Sequence, residues 1–409
     1  MTGPAAYDAI VLGAGPAGST AAIALSRRGW KVALIEKAEF PRRKVCGEFV
    51  SATSLAVIER VGLGGEWRAM AGPEVRRVAF FGGERAVAAN MPAAGGRGFG
   101  RALGRDVLDD LLAREAERAG ATLFQPFRAT AIRREAEGQA VTVVSREREE
   151  TLLAPVVIAA HGSWEPGGLP SQLEKTNRPT DLLGFKAHFS GAELAFDLMP
   201  LLVFPGGYGG MVRADGERLS LSLCIRRDAL TRLRQQAGGG PAADAVHRHL
   251  LASCRGIEQA IGGAELIGPW LASGPIRPGM RPRYADDIFR IGNAAGESHP
   301  IIAEGISMAM QSAWLLAEEL GAIDPSSRAE RAAAGRGYAR RWRGQFATRI
   351  LAASAIAELA LRPAGAAAMG RAVEALPALL TLGARLSGKT KALAKMPDGR
   401  ARMCRMRAS

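Results

Sequence analysis

The chain has 409 residues and a formal net charge of +14, with 47% hydrophobic and 23% charged residues. This length allows two or three domains, and the composition excludes a disordered chain. The cysteines Cys46, Cys224, Cys254 and Cys404 are too far apart for a C-x-x-C pair, so we expect no disulfide framework or metal site, and a reducing cytoplasm fits. We expect neither a signal peptide nor a membrane-spanning helix, because the sequence lacks a basic leader and an uncharged apolar run of about 18 residues.

The excess of positive charge has one general and several specific interpretations. A high arginine content spread over the surface is the simplest. The specific alternatives are an anionic cofactor, an anionic membrane surface and nucleic acid. Between Arg385 and Arg407 there are eight basic residues and one acid, Asp398, and a basic tail after apolar helices can contact lipid headgroups. Since no nucleic-acid motif is present, we expect no nucleic-acid partner, and we keep peripheral membrane contact through this C-terminal region as an alternative.

The first residues have the pattern of a strand, a turn, a helix and a second strand. Residues 8–14 form a short apolar strand, residues 16–29 place Ala and Leu on one helical face, and residues 31–36 (Lys-Val-Ala-Leu-Ile-Glu) have the pattern of a second strand. This order predicts the βαβ unit of a parallel sheet.

The turn in this unit carries the glycine pattern G-x-G-x-x-G at Gly13, Gly15 and Gly18. Gly13 permits the tight turn, Gly15 lets a pyrophosphate approach the backbone, and Gly18 lets the helix pack close to the strand. The helix N-terminus offers free N–H groups to the phosphates. Glu36, at the end of the second strand, suits a ribose diol. The pattern fits the ADP half of either FAD or NAD.

A second helix is predicted over residues 105–119, with Gly120 as its stop, and strands follow near 121–133, 140–145 and 151–160. The apolar run at the end of the last of these predicts a buried central strand.

The middle of the chain has a different pattern. Residues 73–90 and 183–226 contain short alternating runs, which predict antiparallel strands half covered by other elements. Residues 285–320 again suggest a strand, a glycine-rich turn and a long helix, and the pattern is helical from about residue 326. Trp342, Phe346 and Arg349 recur at helical spacing and are expected to pack this region on the body. For residues 351–380 we consider a covering helix layer and, as the alternative, a membrane-facing surface.

These elements predict an α/β fold with a discontinuous Rossmann-like domain, an inserted sheet domain and a helical end. The predicted boundaries are 1–72, 100–175 and 270–325 for the Rossmann-like cofactor domain, 73–99 and 176–269 for the inserted antiparallel-sheet substrate domain, and 326–409 for the C-terminal helical region with its basic tail.

Three ordered segments carry a family resemblance. They are residues 40–51 (Phe-Pro-Arg-Arg-Lys-Val-Cys-Gly-Glu-Phe-Val-Ser), the helix opened by Arg105-Asp-Val-Leu-Asp109, and residues 292–310 with Gly-Asn-Ala-Ala-Gly and Pro-Ile-Ile-Ala-Glu-Gly-Ile. Together they resemble the FAD-dependent superfamily of aromatic hydroxylases, halogenases and geranylgeranyl reductases, and most of all the geranylgeranyl-reductase-like branch. The resemblance implies FAD as the cofactor, held in a Rossmann-like FAD-binding domain, and NAD(P)H as the electron donor.

The resemblance also implies roles for individual residues. Gly292, Asn293 and Ala295 would lie at the ribityl chain and pyrophosphate, and Gly305 and Ile306 would begin the helix that faces the flavin. Arg105 would reach the phosphate or ribityl region, and Cys46 and Gly47 would lie near the ring. The complete set of expected cofactor-binding residues is Gly13, Gly15, Ala17, Gly18, Glu36, Lys37, Cys46, Gly47, Arg105, Gly292, Asn293, Ala295, Gly305 and Ile306.

The chain departs from the superfamily pattern in several places. Asn293 stands where Asp is usual, and His161-Gly162 stands where the hydroxylases have Asp-Gly. The halogenase Trp-x-Trp-x-x-Ile-Pro segment is absent. Of the reductase segment Tyr-x-Trp-x-Phe-Pro only Phe204-Pro205 remains, followed by a glycine-rich stretch around Tyr208.

Candidate catalytic and substrate-binding residues each have a structural alternative. Cys46 could tune the flavin or be a packed turn cysteine, and His299 could transfer a proton or hold a turn. Lys186 and His188 alternate onto one face of a strand, where they would bind an acidic or phenolic substrate or be solvated. Tyr208 could line the pocket or belong to a simple hairpin. The expected substrate-binding residues are Lys186, His188, Phe204, Tyr208 and Pro300.

Three functions remain open at this point. The first is an FAD-dependent monooxygenase that hydroxylates a hydrophobic, phenolic or polyketide-like molecule in a site closed to water. The second is a flavin-dependent reductase of isoprenoid-type carbon–carbon double bonds. The third is a flavin-binding partner protein without turnover, which the substitutions at His161 and Asn293 motivate.

Overall fold

The computed structural model describes residues 5–94, 98–136, 138–163, 167–174 and 176–393. Within these ranges the α-helices are α1 (Pro16–Ser26), α2 (Leu55–Arg60), α3 (Gly64–Met70), α4 (Arg105–Arg118), α5 (Arg227–Gln236), α6 (Ala242–Ser253), α7 (Arg255–Ile261), α8 (Gly305–Leu320), α9 (Arg328–Leu361), α10 (Pro363–Ala375) and α11 (Ala378–Ala384).

A mainly parallel sheet forms the centre of the cofactor half. Its strands, in spatial order, are Tyr284–Ala285, Ile288–Arg290, Val156–Ala159, Ala9–Leu12, Val32–Ile35 and Thr122–Phe124, and only the pairing of the first two is antiparallel. The predicted βαβ unit is confirmed, with α1 between Ala9–Leu12 and Val32–Ile35. The predicted central strand is confirmed at Val156–Ala159, where every residue is fully buried, as its continuous apolar run requires.

Two layers cover this sheet. On one face α1 packs against α4 and α8, and the small residues along α1 allow the close approach. On the other face lies a sheet whose strands are, in spatial order, Ala5–Ala6, Glu149–Ala154, Gly138–Val144 and Arg128–Glu135. The apolar side chains of Val141, Val143 and Leu152 on this four-stranded sheet are completely buried against Ile10 and Leu12. The predicted stop of α4 is confirmed, because the helix ends at Arg118 and Gly120 has φ +103°.

The inserted region is a second large sheet. Its strands, in spatial order, are Glu265–Leu266, Leu182–Ser190, Leu219–Arg226, Gly207–Arg213, Leu198–Phe204, Arg77–Gly82 and Arg85–Asn90, with Leu271–Ile276 also paired to Leu182–Ser190. Short two-stranded pairs join Phe49–Val50 to Arg101–Ala102 and Gly279–Met280 to Gly296–Glu297.

The expectation of purely antiparallel strands in this region is wrong at one pairing. Leu198–Phe204 pairs in parallel with Arg77–Gly82, because these strands come from two distant parts of the chain and not from one hairpin. Sequence reasoning also missed helices α5, α6 and α7. They cover the back of the sheet, where Val246, Leu250 and Ile257 are fully buried against it.

The C-terminal region is helical, as predicted. Trp342, Phe346 and Arg349 on α9 are all buried, which confirms their packing role. Helices α10 and α11 cover the sheet strands Arg77–Gly82 and Arg85–Asn90, so the covering-layer interpretation holds for them. The part of the predicted basic tail beyond residue 393 lies outside the described residues.

No single helix in the described part of the chain is both long and apolar enough to cross a membrane. The helix pair α9 and α10, bent by 106°, meets the same test by length and composition only.

Candidate cofactor and substrate site

A cavity of about 970 Å³ lies between the cofactor half, the second sheet and the C-terminal helices. Its volume is at the upper end of the usual range for small-molecule sites, which leaves room for a cofactor and a substrate together. One end is bounded by the glycine-rich turn and the other by side chains of α9, α10 and α11. Below, these are called the glycine end and the leucine end.

The turn at the glycine end is built so tightly that only glycine fits. A Cβ on Gly18 would lie 1.8 Å from the Gly13 carbonyl oxygen, and a Cβ on Gly13 would lie 2.8 Å from the Ala160 carbonyl oxygen. Gly13 also has φ +108°, which an L side chain rarely adopts. At Gly15 the space above the backbone is open except for the Arg105 guanidinium at 3.5 Å. The turn therefore leaves bare backbone beside the start of α1.

Glu36 is fixed at the edge of this turn. The carboxylate is nearly fully buried and accepts hydrogen bonds from the backbone N–H groups of Ala14 and Ala38, both at 3.0 Å. Glu36 lines the cavity, in the position that the sequence pattern predicts for a ribose-binding carboxylate. Its contact with a ribose remains a prediction.

Basic side chains crowd the same end. Arg105 is buried and donates two hydrogen bonds of 2.7 Å to Asp109. Burial opposes its charge, but the Asp109 carboxylate outweighs burial and raises the pKa of Arg105. Burial, together with Arg105 and Arg42, lowers the pKa of Lys44 to about 8. Such a cation cluster beside free helix N–H groups is suited to a diphosphate.

The residues present therefore fit the ADP and diphosphate part of FAD. The glycine backbone gives a cradle that any Cβ would fill, and the cation cluster gives the opposite charge. Sequence reasoning missed Arg42 and Lys44, although the Pro-Arg-Arg-Lys run before Cys46 was the signal that could have found them.

Most of the predicted cofactor-binding residues meet on the cavity wall. Those that do are Gly13, Gly15, Ala17, Glu36, Lys37, Cys46, Gly47, Arg105, Gly292, Asn293, Gly305 and Ile306. Gly18 and Ala295 are buried behind the wall. The Asn293 amide is hydrogen-bonded to Glu297 at 2.9 Å, and the Cys46 sulfur accepts from the Glu48 N–H at 3.4 Å.

A buried charge network joins the cofactor half to the second sheet. Glu48 forms an ion pair with Lys186 and accepts a hydrogen bond from His188 Nε2 at 2.8 Å. Arg43 lies 3.1 Å from His188 Nδ1. Because arginine can only donate, His188 Nδ1 accepts from Arg43 and Nε2 donates to Glu48.

The network also fixes the charge of Glu48. Burial alone would raise the pKa of this carboxyl, but the His188 hydrogen bond and the Lys186 charge hold it well below its usual value. Lys186 and His188 share one face of their strand as predicted, but that face is not solvated. Lys186 and His188 are 0% and 1% exposed and neither lies on the cavity wall. The predicted direct substrate binding by this pair is therefore wrong, and both side chains contact Glu48 instead.

Tyr208 and Pro300 lie on the cavity wall, as predicted for substrate-binding residues. The Tyr208 hydroxyl is 3.0 Å from His299 Nδ1. Burial lowers the pKa of His299 to about 4 and raises that of Tyr208 well above its usual value. Both are therefore neutral near pH 7, with Tyr208 donating to His299. His299 itself is not on the wall and is connected to the cavity through Tyr208.

Phe204 was predicted wrongly. It packs on the back of the sheet with the cluster of Leu202, Leu223 and Leu230. Along Leu198–Phe204 the side chains alternate, and it is Met199 and Leu201 that line the cavity.

The leucine end is almost entirely apolar. Its wall combines the sheet residues Val78, Phe80, Met199 and Leu201 with Ile356, Leu359, Met369, Val373, Leu379, Leu380, Leu382 and Leu386 of the C-terminal helices and the following π-helical turn Arg385–Lys389. No motif marks these residues in the sequence. An elongated apolar molecule fits this lining.

Three comparisons place this fold and site among known proteins. Residues 6–189 match the model of a family described as FAD binding domain. Menaquinone reductase of Mycobacterium tuberculosis is 33% identical over 165 residues, 39% of each chain, so the match spans about two fifths of that relative. Digeranylgeranylglycerophospholipid reductase of Methanocaldococcus jannaschii is 28% identical over 324 residues, 76% of each chain.

Solved structures agree on the fold. The FAD-dependent chondrochloren halogenase of a myxobacterium superposes with a TM-score of 0.75 at 19% identity, over 95% of this chain and 93% of that one. With the glycine cradle, the cation cluster and the sequence match, residues 6–189 form an FAD binding domain. Over 76% of its length the chain is similar to a digeranylgeranylglycerophospholipid reductase.

Proposed function

We propose that the protein is a flavin-dependent reductase of isoprenoid-type carbon–carbon double bonds. The observation that carries this proposal is the continuity of the cavity, which joins a cofactor cradle at the glycine end to an apolar lining at the leucine end. The similarity to a menaquinone reductase and to a digeranylgeranylglycerophospholipid reductase supports it.

In this proposal the glycine end holds FAD. The turn at Gly13, Gly15 and Gly18 receives the diphosphate, with Arg105 and Lys44 opposing its charge. Bound flavin supplies a hydride to an acceptor, and NAD(P)H is the proposed source of its electrons.

The chain itself positions the acceptor. Apolar side chains from the sheet and from α9 to α11 line the leucine end, so an isoprenoid chain can enter without leaving polar groups unsatisfied. Among the residues named above on this side of the wall, Tyr208 offers a neutral hydroxyl, held by His299 Nδ1. We propose that this hydroxyl orients the polar group of the substrate.

A monooxygenase acting on a phenolic or polyketide-like molecule is the second candidate. The Tyr208–His299 pair favours it, because a phenol hydroxyl entering the cavity would find a hydrogen-bonding partner in the Tyr208 hydroxyl. A flavin-binding protein without turnover remains the third alternative.

One experiment separates the three. Chemically reduced, FAD-loaded protein is mixed without oxygen with geranylgeranylglycerol or an isoprenoid quinone, and the visible flavin spectrum and product mass are followed. We expect the flavin to be reoxidised and the product to gain two hydrogen atoms. Reoxidation only with oxygen, accompanied by hydroxylation of a phenolic probe, would favour the second candidate. Reoxidation only after oxygen is admitted, with every added ligand recovered unchanged, would favour the third.

A further inference from the structure

Exposed large apolar side chains are concentrated at one place on the molecule. Of the ten that the described residues contain, five lie between residues 351 and 386: Leu351, Leu359, Leu376, Leu382 and Leu386. Scattered surface leucines need no explanation, but a cluster marks an interaction surface. We call Leu359, Leu376, Leu382 and Leu386, which are 46% to 55% exposed, the leucine rim.

The leucine rim is continuous with the cavity. Leu359, Leu382 and Leu386 line the leucine end and are also exposed to solvent, so they mark where the cavity opens. Leu376 lies at the junction of α10 and α11, next to the cavity residues Leu379 and Leu380. An apolar opening of this kind would face water unless something apolar covers it.

Polar contacts, including one buried ion pair, hold the segment that carries part of the leucine rim. Lys389, at the end of the turn that carries Leu386, donates to Glu304 at 3.0 Å and to the Ile302 carbonyl at 2.8 Å. Both side chains of this ion pair are buried. The Thr381 hydroxyl donates to the Asn90 carbonyl at 2.7 Å. The leucines are therefore presented by an anchored segment.

The charge around the leucine rim is positive. Both acidic residues of the 351–393 segment are paired with arginine, Glu358 with Arg362 and Glu374 with Arg85. Arg371 and Arg385 are exposed on the same segment. Arginines around exposed leucines are complementary to anionic headgroups above an acyl layer, and they argue against a purely apolar protein face.

We propose that the leucine rim docks onto an anionic lipid bilayer, so that an isoprenoid substrate passes from the bilayer directly into the cavity. The substrate part rests on the proposed function, whereas docking itself does not require it. The sequence analysis gave two candidates for membrane contact, the basic tail and a membrane-facing surface of residues 351–380, and the leucine rim overlaps with the second.

The test is flotation of the full-length, FAD-loaded protein with vesicles of equal parts phosphatidylglycerol and phosphatidylcholine. We expect wild type to float, Leu376→Glu to bind about tenfold more weakly and Leu382→Glu/Leu386→Glu more weakly still, since each exposed leucine contributes a large share of insertion. Met70→Glu, an equally exposed apolar side chain (41%) on α3, is the matched control and should float like wild type. Arg371→Glu/Arg385→Glu should weaken binding and reduce its salt dependence.

Two results would overturn the proposal. One is flotation of the leucine variants equal to that of wild type, with melting temperatures showing that all are folded. The other is sedimentation of wild type as a dimer that the same variants dissociate, which would assign the leucine rim to a second copy of the chain. Flotation uses no substrate, so failure to dock and failure to reduce an isoprenoid are separate outcomes.

Discussion

The two ends of the cavity are built on different principles. At the glycine end the backbone makes the site: Gly13 and Gly18 leave no room for a Cβ, and Gly15 leaves open space above the backbone beside the start of α1. At the leucine end side chains make the site, and they come from sheet strands and helices separated by up to three hundred residues. Binding at the glycine end therefore depends on the exact local conformation of the backbone, whereas binding at the leucine end depends only on the size and apolarity of the side chains.

The largest expected effect comes from breaking the glycine end. In Gly18→Ala the new Cβ would lie 1.8 Å from the Gly13 carbonyl oxygen, so the turn must open. We expect FAD affinity to fall about a thousandfold or more, equal to about 4 kcal/mol, measured by fluorescence titration of flavin-free protein. Gly65→Ala on α3, where a Cβ meets nothing within 4 Å, is the control and should bind FAD normally. An intact affinity in Gly18→Ala would contradict the cradle.

The second largest effect is expected in the buried charge network of Glu48, Lys186 and His188, which joins the cofactor half to the inserted sheet. Lys186→Met leaves the buried Glu48 carboxylate without its ammonium partner, so we expect a loss of about 3 kcal/mol in the free energy of unfolding, measured in urea. Glu358→Gln removes one side of an ion pair whose side chains are 61% and 70% exposed, and should change stability by less than about 0.5 kcal/mol. Equal effects would mean that the buried network does not hold the halves together.

The same charge network should make the stability of the protein depend on pH. Because the folded-state pKa of Glu48 lies well below its usual value of 4.5, the stability from its charge is complete above that value and is lost as the pH falls below it. The stability difference between wild type and Glu48→Gln should therefore be largest at neutral pH and shrink below about pH 4.5. Urea unfolding from pH 7 to pH 3 measures it, and a constant difference would contradict the charged state of Glu48.

A bulky substitution at the leucine end should weaken binding of an apolar ligand without changing FAD affinity at the glycine end. Met369→Trp places a bulkier side chain in the cavity, so we expect about tenfold weaker binding of geranylgeraniol with FAD affinity unchanged. Ala368→Trp, on the exposed face of the same helix, is the matched control. Loss of FAD from the Met369 variant would show that the two ends are not independent.

The smallest effect is expected at Tyr208. Tyr208→Phe keeps the ring but leaves His299 Nδ1 without its donor, at a cost of about 1 kcal/mol in stability. Affinity for a phenolic ligand should fall severalfold, while affinity for phytane, an isoprenoid hydrocarbon without a polar group, should not change. Tyr338→Phe also removes a buried hydroxyl contact, to the Arg290 carbonyl at 3.0 Å, and should affect stability alone. If both ligands respond alike to Tyr208→Phe, the hydroxyl does not discriminate between them.

Sequence reasoning succeeded where structure follows from neighbouring residues. The βαβ unit, the glycine turn, Glu36 and the stop of α4 depend on local geometry, so pattern and spacing predicted them. The alternation of Lys186 and His188 predicted a shared face, but not Glu48, which lies about 140 residues earlier in the chain. Phe204 was misplaced because a motif position was weighed above the strand's own alternation. The leucine end has no local signal at all, since its residues meet only after the sheet and helices have packed.

The account's central claim is that one cavity holds FAD and an apolar ligand side by side. The most direct test is the visible absorption spectrum of FAD bound to the wild-type protein as geranylgeraniol is added. We predict a saturable shift of the flavin bands, because the ligand removes water from around the ring, and in Met369→Trp the same shift should require about tenfold more geranylgeraniol. A spectrum that stays unchanged while the ligand demonstrably binds would place the apolar ligand elsewhere and contradict the claim.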